Sequence, residues 1–211
     1  MTTKLDIFSD PICPWCYIGK ARLEKALEQR PDHPFVIEWH PYMLNPTMPP
    51  EGMDRREYLQ AKFGPAEGIV KAYLPVSEAA EAEGLPLDLS KIERTPATLD
   101  AHRLIHWAGL EGRQNAVVNA LFQANFVRGL DISNHAVLLD LAEASGLDRD
   151  LIARLLGSEA DIDDIRARDA DIRERGLSGV PGFLIGRKYV VSGANPTEFW
   201  VQVIDDLAAA A

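Results

Sequence analysis

The two cysteines of this chain fall in one short stretch, Ser9-Asp10-Pro11-Ile12-Cys13-Pro14-Trp15-Cys16-Tyr17. An apolar run (Leu5, Ile7, Phe8) that reads as a strand comes before the Cys-x-x-Cys pair. Ala21, Leu23, Ala26 and Leu27 follow it at spacings that read as a helix. A dithiol at a strand-to-helix handover restricts the fold more than any other feature of the sequence, because it asks for a β-α unit with both sulfurs at the helix mouth. The first helical turn has N–H groups without partners and the positive end of the helix dipole. A thiolate is stabilised there, so Cys13, at the mouth, is the expected nucleophile. Cys16 lies about one turn further on, shielded beside Cys13, where it resolves a mixed disulfide. Pro14 suits the first turn, since the N–H it lacks would be unpaired anyway, and it stiffens the pair. Trp15 adds no charge.

Two other roles compete for the cysteines. As buried small hydrophobes they would need neither this spacing nor this context. As zinc ligands they would need partners, and His102 and His106, four apart on a predicted helix face, complete a four-ligand set with Cys13 and Cys16. Those histidines lie far down the chain, well beyond finger spacing, and the expectation is a redox dithiol with no metal.

The 211 residues allow one large domain or two small ones. Hydrophobic residues make up 46%, enough for a substantial core. The net charge of −10 argues against nucleic acid or an anionic membrane as partner. No apolar run reaches membrane-spanning length, and Met1-Thr2-Thr3-Lys4-Leu5-Asp6 has no signal-peptide pattern. A cytoplasmic protein is expected, in which two cysteines are catalytic rather than structural.

Along the chain, residues 3–9 read as a strand, 14–29 as a helix, and Phe35 to His40 as a second strand. A parallel pair with a right-handed crossover is expected. The proline-rich stretch Pro41 to Met53 reads as a loop carrying Met43, Leu44, Met48 and Met53. Nearly everything from Asp54 to Gly176 reads helical, in segments over about 54–63, 65–83, 98–108, 114–128, 135–144 (opened by Ser133), 151–156 and 159–175. The last of these carries the acid–base pairs Asp164/Arg168, Asp169/Arg173 and Asp171/Arg175, which read as a solvated face. After Gly176 a hairpin is expected, Phe183-Leu184-Ile185 against Tyr189-Val190-Val191, then a helix from Pro196-Thr197. The fold class is α/β: a thioredoxin fold with a large all-helical domain inserted between its β-α-β and β-β-α halves. Residues 1–50 and 176–211 form the halves, and 51–175 the insertion.

The sequence resembles the DsbA-like thioredoxin superfamily and, within it, the FrnE-like dithiol-disulfide oxidoreductases. The motifs are Asp10-Pro11-Ile12-Cys13-Pro14-Trp15-Cys16-Tyr17-Ile18-Gly19, Trp39-His40-Pro41-Tyr42 with Leu44-Asn45-Pro46, Ala101-His102-Arg103-Leu104, Leu121-Phe122-Gln123-Ala124, Asp131-Ile132-Ser133, Gly179-Val180-Pro181 and Val191-Ser192-Gly193-Ala194. It departs at Gly182, where relatives carry an aromatic, at Ala97, where they carry Asn, and in lacking a further cysteine pair. The resemblance implies a cis Pro181 facing the dithiol, with the Val180 backbone seating a thiol substrate, and Pro14 and Trp15 beside it. It implies thiol–disulfide oxidoreductase or isomerase activity on protein or small-molecule disulfides, with glutathione as the one co-substrate and no other cofactor. Trp15 and His40 are weaker candidates near the dithiol. A sister group contains 2-hydroxychromene-2-carboxylate isomerases and kappa-class glutathione transferases, with serine at the first cysteine. Glutathione-dependent isomerisation is thus one alternative, and a chaperone-like polypeptide-binding module is another. Either a monomer or a homodimer fits.

Overall fold

A computed structural model describes residues 2–210 of the protein. Strand β1 (Thr3–Ser9) leads into helix α1 (Pro14–Gln29) and then strand β2 (Phe35–Pro41), parallel to β1. The bounds of all three agree with the sequence reading to within a residue. The two-residue strand β3 (Met53–Asp54) follows, then helices α2 (Arg55–Phe63) and α3 (Ala66–Ala82) and the two-residue strand β4 (Arg94–Thr95). Next come helices α4 (Leu99–Leu110), α5 (Gln114–Phe126), α6 (His135–Ala144), α7 (Arg149–Leu156) and α8 (Ile162–Glu174). Strands β5 (Gly182–Ile185) and β6 (Tyr189–Ser192) and helix α9 (Thr197–Ala209) close the chain.

The main sheet has the order β2-β1-β5-β6, with β5 antiparallel to β1 and β6 antiparallel to β5. The β1-α1-β2 start and the β5-β6-α9 end thus share one sheet around a helical insertion, the α/β architecture that the sequence pattern predicts. Successive side chains of a strand point to opposite faces. Phe183 on β5 meets Trp200 of α9 with ring centroids 4.6 Å apart. Phe8, His40 and Leu184 line the other face, towards Ala167, Arg168 and Ile172 of α8. At the β2 edge, the Gln114 side chain accepts from Trp39 N–H at 2.8 Å and donates to Trp39 C=O at 3.0 Å. One amide side chain there satisfies the backbone groups that an added strand would use. Leu5, Ile7, Leu104 and Phe122 belong to one continuous hydrophobic cluster, so sheet and insertion share a core. No helix among the described residues is long and apolar enough to cross a membrane.

Several local expectations need correction. The N-cap of α6 is Asn134, which accepts from Ala136 N–H, rather than Ser133. Helix α8 starts at Ile162 and not near Glu159, because Asp161 at φ 60° sits in the left-handed region and interrupts the run. Its charged face is only partly solvated. Asp169 is buried and accepts from Met43 N–H at 2.7 Å, while Arg173 donates to Met43 C=O and lies 3.9 Å over the Tyr42 ring. The three predicted acid–base pairs of α8 do form. In the proline-rich loop Met43 is buried, Leu44 and Met48 are half-buried, and Met53 is exposed.

Candidate active site

Helix α1 begins on the dithiol. Cys13 is its N-cap, with the side chain accepting the Cys16 N–H at 3.4 Å, and Pro14 takes the first helical position. The sulfur therefore satisfies one of the N–H groups that a helix start leaves open. The Cys13 thiol also faces the Val180 carbonyl at 3.6 Å. Both cysteines are free thiols. Cys13 is 4% exposed and Cys16 1%, so both sulfurs are buried, and they differ in access. Cys13 lines a cleft of about 290 Å³ and Cys16 does not. Burial pushes the Cys16 thiol well up from its ordinary value. The neighbouring Cys13 adds to the rise, against weaker opposition from the Ser9 side chain and the Asp10 backbone.

The Val180-Pro181 peptide bond is cis. Glycine at position 19 lets α1 approach this loop, since a Cβ there would lie 3.1 Å from Pro181 Cγ. Gly182, which stands where an aromatic is usual, has a comparable reason: a Cβ would fall 2.8 Å from Leu177 Cδ1. Leu177 fills that space instead.

The cleft gathers Cys13, Pro14, Trp15 and Val180, together with Ile12, Leu44 and Gly179. Pro181 packs on α1 and lines a separate cavity of about 530 Å³ beneath α8. His40 is not beside the dithiol. It sits on the outer sheet face, 2.7 Å from Asp6 and stacked on Phe8. The four residues of the zinc alternative are not brought together. His106 approaches Arg168 at 3.4 Å, with Asp161 and Asp164 nearby, while His102 is buried against Asp10. The wall of the cleft opposite Cys13 comes from α2 and α3, through Arg55, Tyr58, Lys62, Phe63, Tyr73 and Val76. Sequence reasoning missed these residues. Helix α2 buries none of its side chains, so no apolar stripe marked it as part of a site.

Behind the dithiol lies a buried carboxylate. Asp10 accepts from Leu44 N–H at 2.6 Å, Ile12 N–H at 3.3 Å and the Thr98 hydroxyl at 3.4 Å. It thereby joins the cysteine loop to the loop after β2 and to the start of α4. Burial pushes its pKa up to about 7, against those hydrogen bonds, with Asp169 adding to the rise. His102 Nε2 is 3.9 Å from Asp10 Oδ1 and has no hydrogen-bond partner. Burial pushes His102 down to about 4, with Asp169 opposing. Their proximity is therefore not an ion pair, because between those two values both groups are uncharged.

Residues 4–205 match the DSBA-like thioredoxin domain. The chain belongs to the DsbA-like thioredoxin family. A probable DsbA oxidoreductase from Streptomyces coelicolor is 31% identical and superposes with a TM-score of 0.87, over 99% of this chain and 91% of that one. Two more distant structures share the fold. A 2-hydroxychromene-2-carboxylate isomerase is 18% identical, with a TM-score of 0.74 over 98% and 97% of the two chains. The cytosolic disulfide reductase DsbM from Pseudomonas aeruginosa is 19% identical, with a TM-score of 0.69 over 99% and 100%. DsbM is also known with GSH.

Proposed function

We propose that the chain is a FrnE-like thiol–disulfide oxidoreductase working through Cys13 and Cys16. One observation carries the reading: Cys13 caps α1 and opens on the cleft beneath the Val180 carbonyl, while Cys16 is buried behind it. In the reducing direction the Cys13 thiolate attacks one sulfur of a substrate disulfide. That S–S bond breaks, and one substrate thiolate leaves and takes a proton from solvent. Cys16 then gives up its proton to solvent and attacks the Cys13 sulfur of the mixed disulfide, releasing the second substrate thiol. Two protein thiols are oxidised to one disulfide, and one substrate disulfide is reduced to two thiols. The reverse sequence oxidises a dithiol substrate.

The raised pKa of Cys16 fits a resolving thiol that stays protonated until the mixed disulfide forms. The Val180 backbone seats the substrate, with Pro14 and Trp15 beside it and Pro181 fixing the loop. Glutathione is the co-substrate we assign, by analogy with the DsbM structure that holds it.

Mass spectrometry of two variants after incubation with glutathione disulfide tests the assignment. Cys16→Ser retains a glutathione adduct on Cys13, whereas Cys13→Ser retains little and loses reduction of insulin disulfides. Equal adducts on both variants reverse or merge the two roles. Wild-type activity in both removes the dithiol from the chemistry.

A further inference from the structure

The cleft over Cys13 carries charge of one sign only. Arg55 and Lys62 line it, and no aspartate or glutamate does, in a chain whose net charge is −10. Several other cations of this fold are spent on carboxylates: Arg22 and Lys25 on Glu83, Arg30 on Asp205, Arg149 on Asp140. Neither Arg55 nor Lys62 has such a partner among the described residues. They are aimed instead by hydroxyls. Arg55 donates to Tyr73 at 2.8 Å and to Thr95 at 3.3 Å, and Lys62 donates to Tyr58 at 2.6 Å. Arg55 lies 5.6 Å over the Tyr73 ring, and Lys62 5.1 Å and 5.8 Å over the rings of Tyr58 and Phe63. A hydroxyl leaves the charge of a cation uncancelled, so both keep their attraction for an incoming anion. Aromatic walls lower the dielectric around that attraction. The volume of about 290 Å³ is at the small end for ligand sites and suits a small molecule.

We propose that Arg55 and Lys62 make the cleft selective for small disulfides that carry a carboxylate a few bonds from the sulfur. The proposal rests on exchange at Cys13 and Cys16, and it adds the substrate class. A carboxylate held there by one charge-assisted hydrogen bond gains about tenfold or more over a neutral or cationic group. The reaction is the balanced exchange already given, so a pre-reduced protein needs no further reductant for one turnover.

The test uses two disulfides of matched length, 3,3′-dithiodipropionate (anionic) and cystamine (cationic). Loss of protein thiols is followed in single turnover of the pre-reduced full chain, and the ratio of rates is divided by the same ratio for a free small thiol. The expected normalised preference for dithiodipropionate is about tenfold, reduced by 1 M salt as a charge effect must be. Lys62→Met lowers the preference severalfold, Arg55→Met lowers it further, and Lys62→Arg restores it. Lys62 is exposed, so its variants test the idea even where loss of the Arg55 contacts unfolds the chain. Each variant is checked for native circular dichroism, since an unfolded chain exposes both thiols and loses the preference for that reason alone. If the wild type reacts through Cys13 with both probes and shows no preference, or if Lys62→Met leaves the preference intact, the charge selection is overturned while exchange stands. If Cys13→Ser is oxidised by both probes as fast as the wild type, the exchange reading itself falls.

Discussion

Two aspartate–histidine pairs, one on β1 and one just beyond its end, behave in opposite ways. Asp6 and His40 meet at 2.7 Å on the outer sheet face, where Lys4 stands 2.9 Å from Asp6 and 2.7 Å from Glu38. Solvent reaches this group, and every charge in it has a partner. Asp10 and His102 lie in the interior at 3.9 Å, with no cation between them and the His102 Nε2 unpaired. Identical residue types thus give a satisfied polar cluster in one place and two neutral buried groups in the other. Burial without a counter-charge, not residue type, decides which outcome results.

The buried pair gives the larger predicted effects, and the sign follows from proton linkage. Asp10, raised from 3.8 to about 7, holds its proton more tightly folded than unfolded. Its contribution to stability is full below its unfolded pKa and is lost as pH rises through the window to about 7. His102, lowered from 6.5 to about 4, holds its proton less tightly folded. Its contribution is full above its unfolded pKa and is lost as pH falls through that window. The two slopes oppose each other between about 4 and 6.5. Replacing one residue exposes the slope of the other.

The sharpest break is His102→Asn. With only Asp10 left, stability falls by about 4 kcal/mol as pH rises from 4 to 7, at about 1.4 kcal/mol per pKa unit. Urea midpoints across that range measure it, and a profile parallel to the wild type sinks the argument. Asp10→Asn gives the mirror image, a rise of about 3 kcal/mol between pH 4 and 6.5. The same series reads it, and a fall there would show that His102 is charged in the folded chain. The smallest effect belongs to the satisfied pair. His40→Gln costs about 1 kcal/mol at pH 7, one hydrogen bond's worth. A loss of several kcal/mol on urea denaturation would place His40 in the class of Asp10 and dissolve the contrast.

Much of this was legible in the sequence, for local reasons. Thr3–Ser9, Pro14–Gln29 and the final hairpin carry their own periodicity and caps, and the Cys-x-x-Cys spacing marks the helix mouth without reference to the rest of the chain. What failed was non-local. The β3–β4 pairing joins Met53–Asp54 to Arg94–Thr95, and two-residue strands leave no alternation to detect. Asp169 and Arg173 have the i,i+4 spacing of a solvated pair, and only the docking of α8 on Tyr42 and Met43 buries the acid. Asp10 read as part of the cysteine motif, with nothing to say that Leu44 and Thr98 would converge on it. The cations of the cleft were invisible for a similar reason, since Arg55 and Lys62 on a polar helix look like ordinary surface residues until α2 joins α3 in walling the cleft over Cys13.

The contact between Cys13 and Val180 joins residues 167 apart in sequence. On a ribosome making about 5–20 residues per second, Cys13 emerges roughly ten to thirty seconds before the loop that faces it. Strand β1 gains β5 only once residues 182–185 are made, so the nascent chain displays its thiols before they have their full surroundings. Having two cysteines and no more makes that interval harmless within the chain, since the sole internal bridge open to them is the one between Cys13 and Cys16. A third cysteine anywhere in the insertion would compete during those seconds, and the covalent error would be made before the sheet could prevent it.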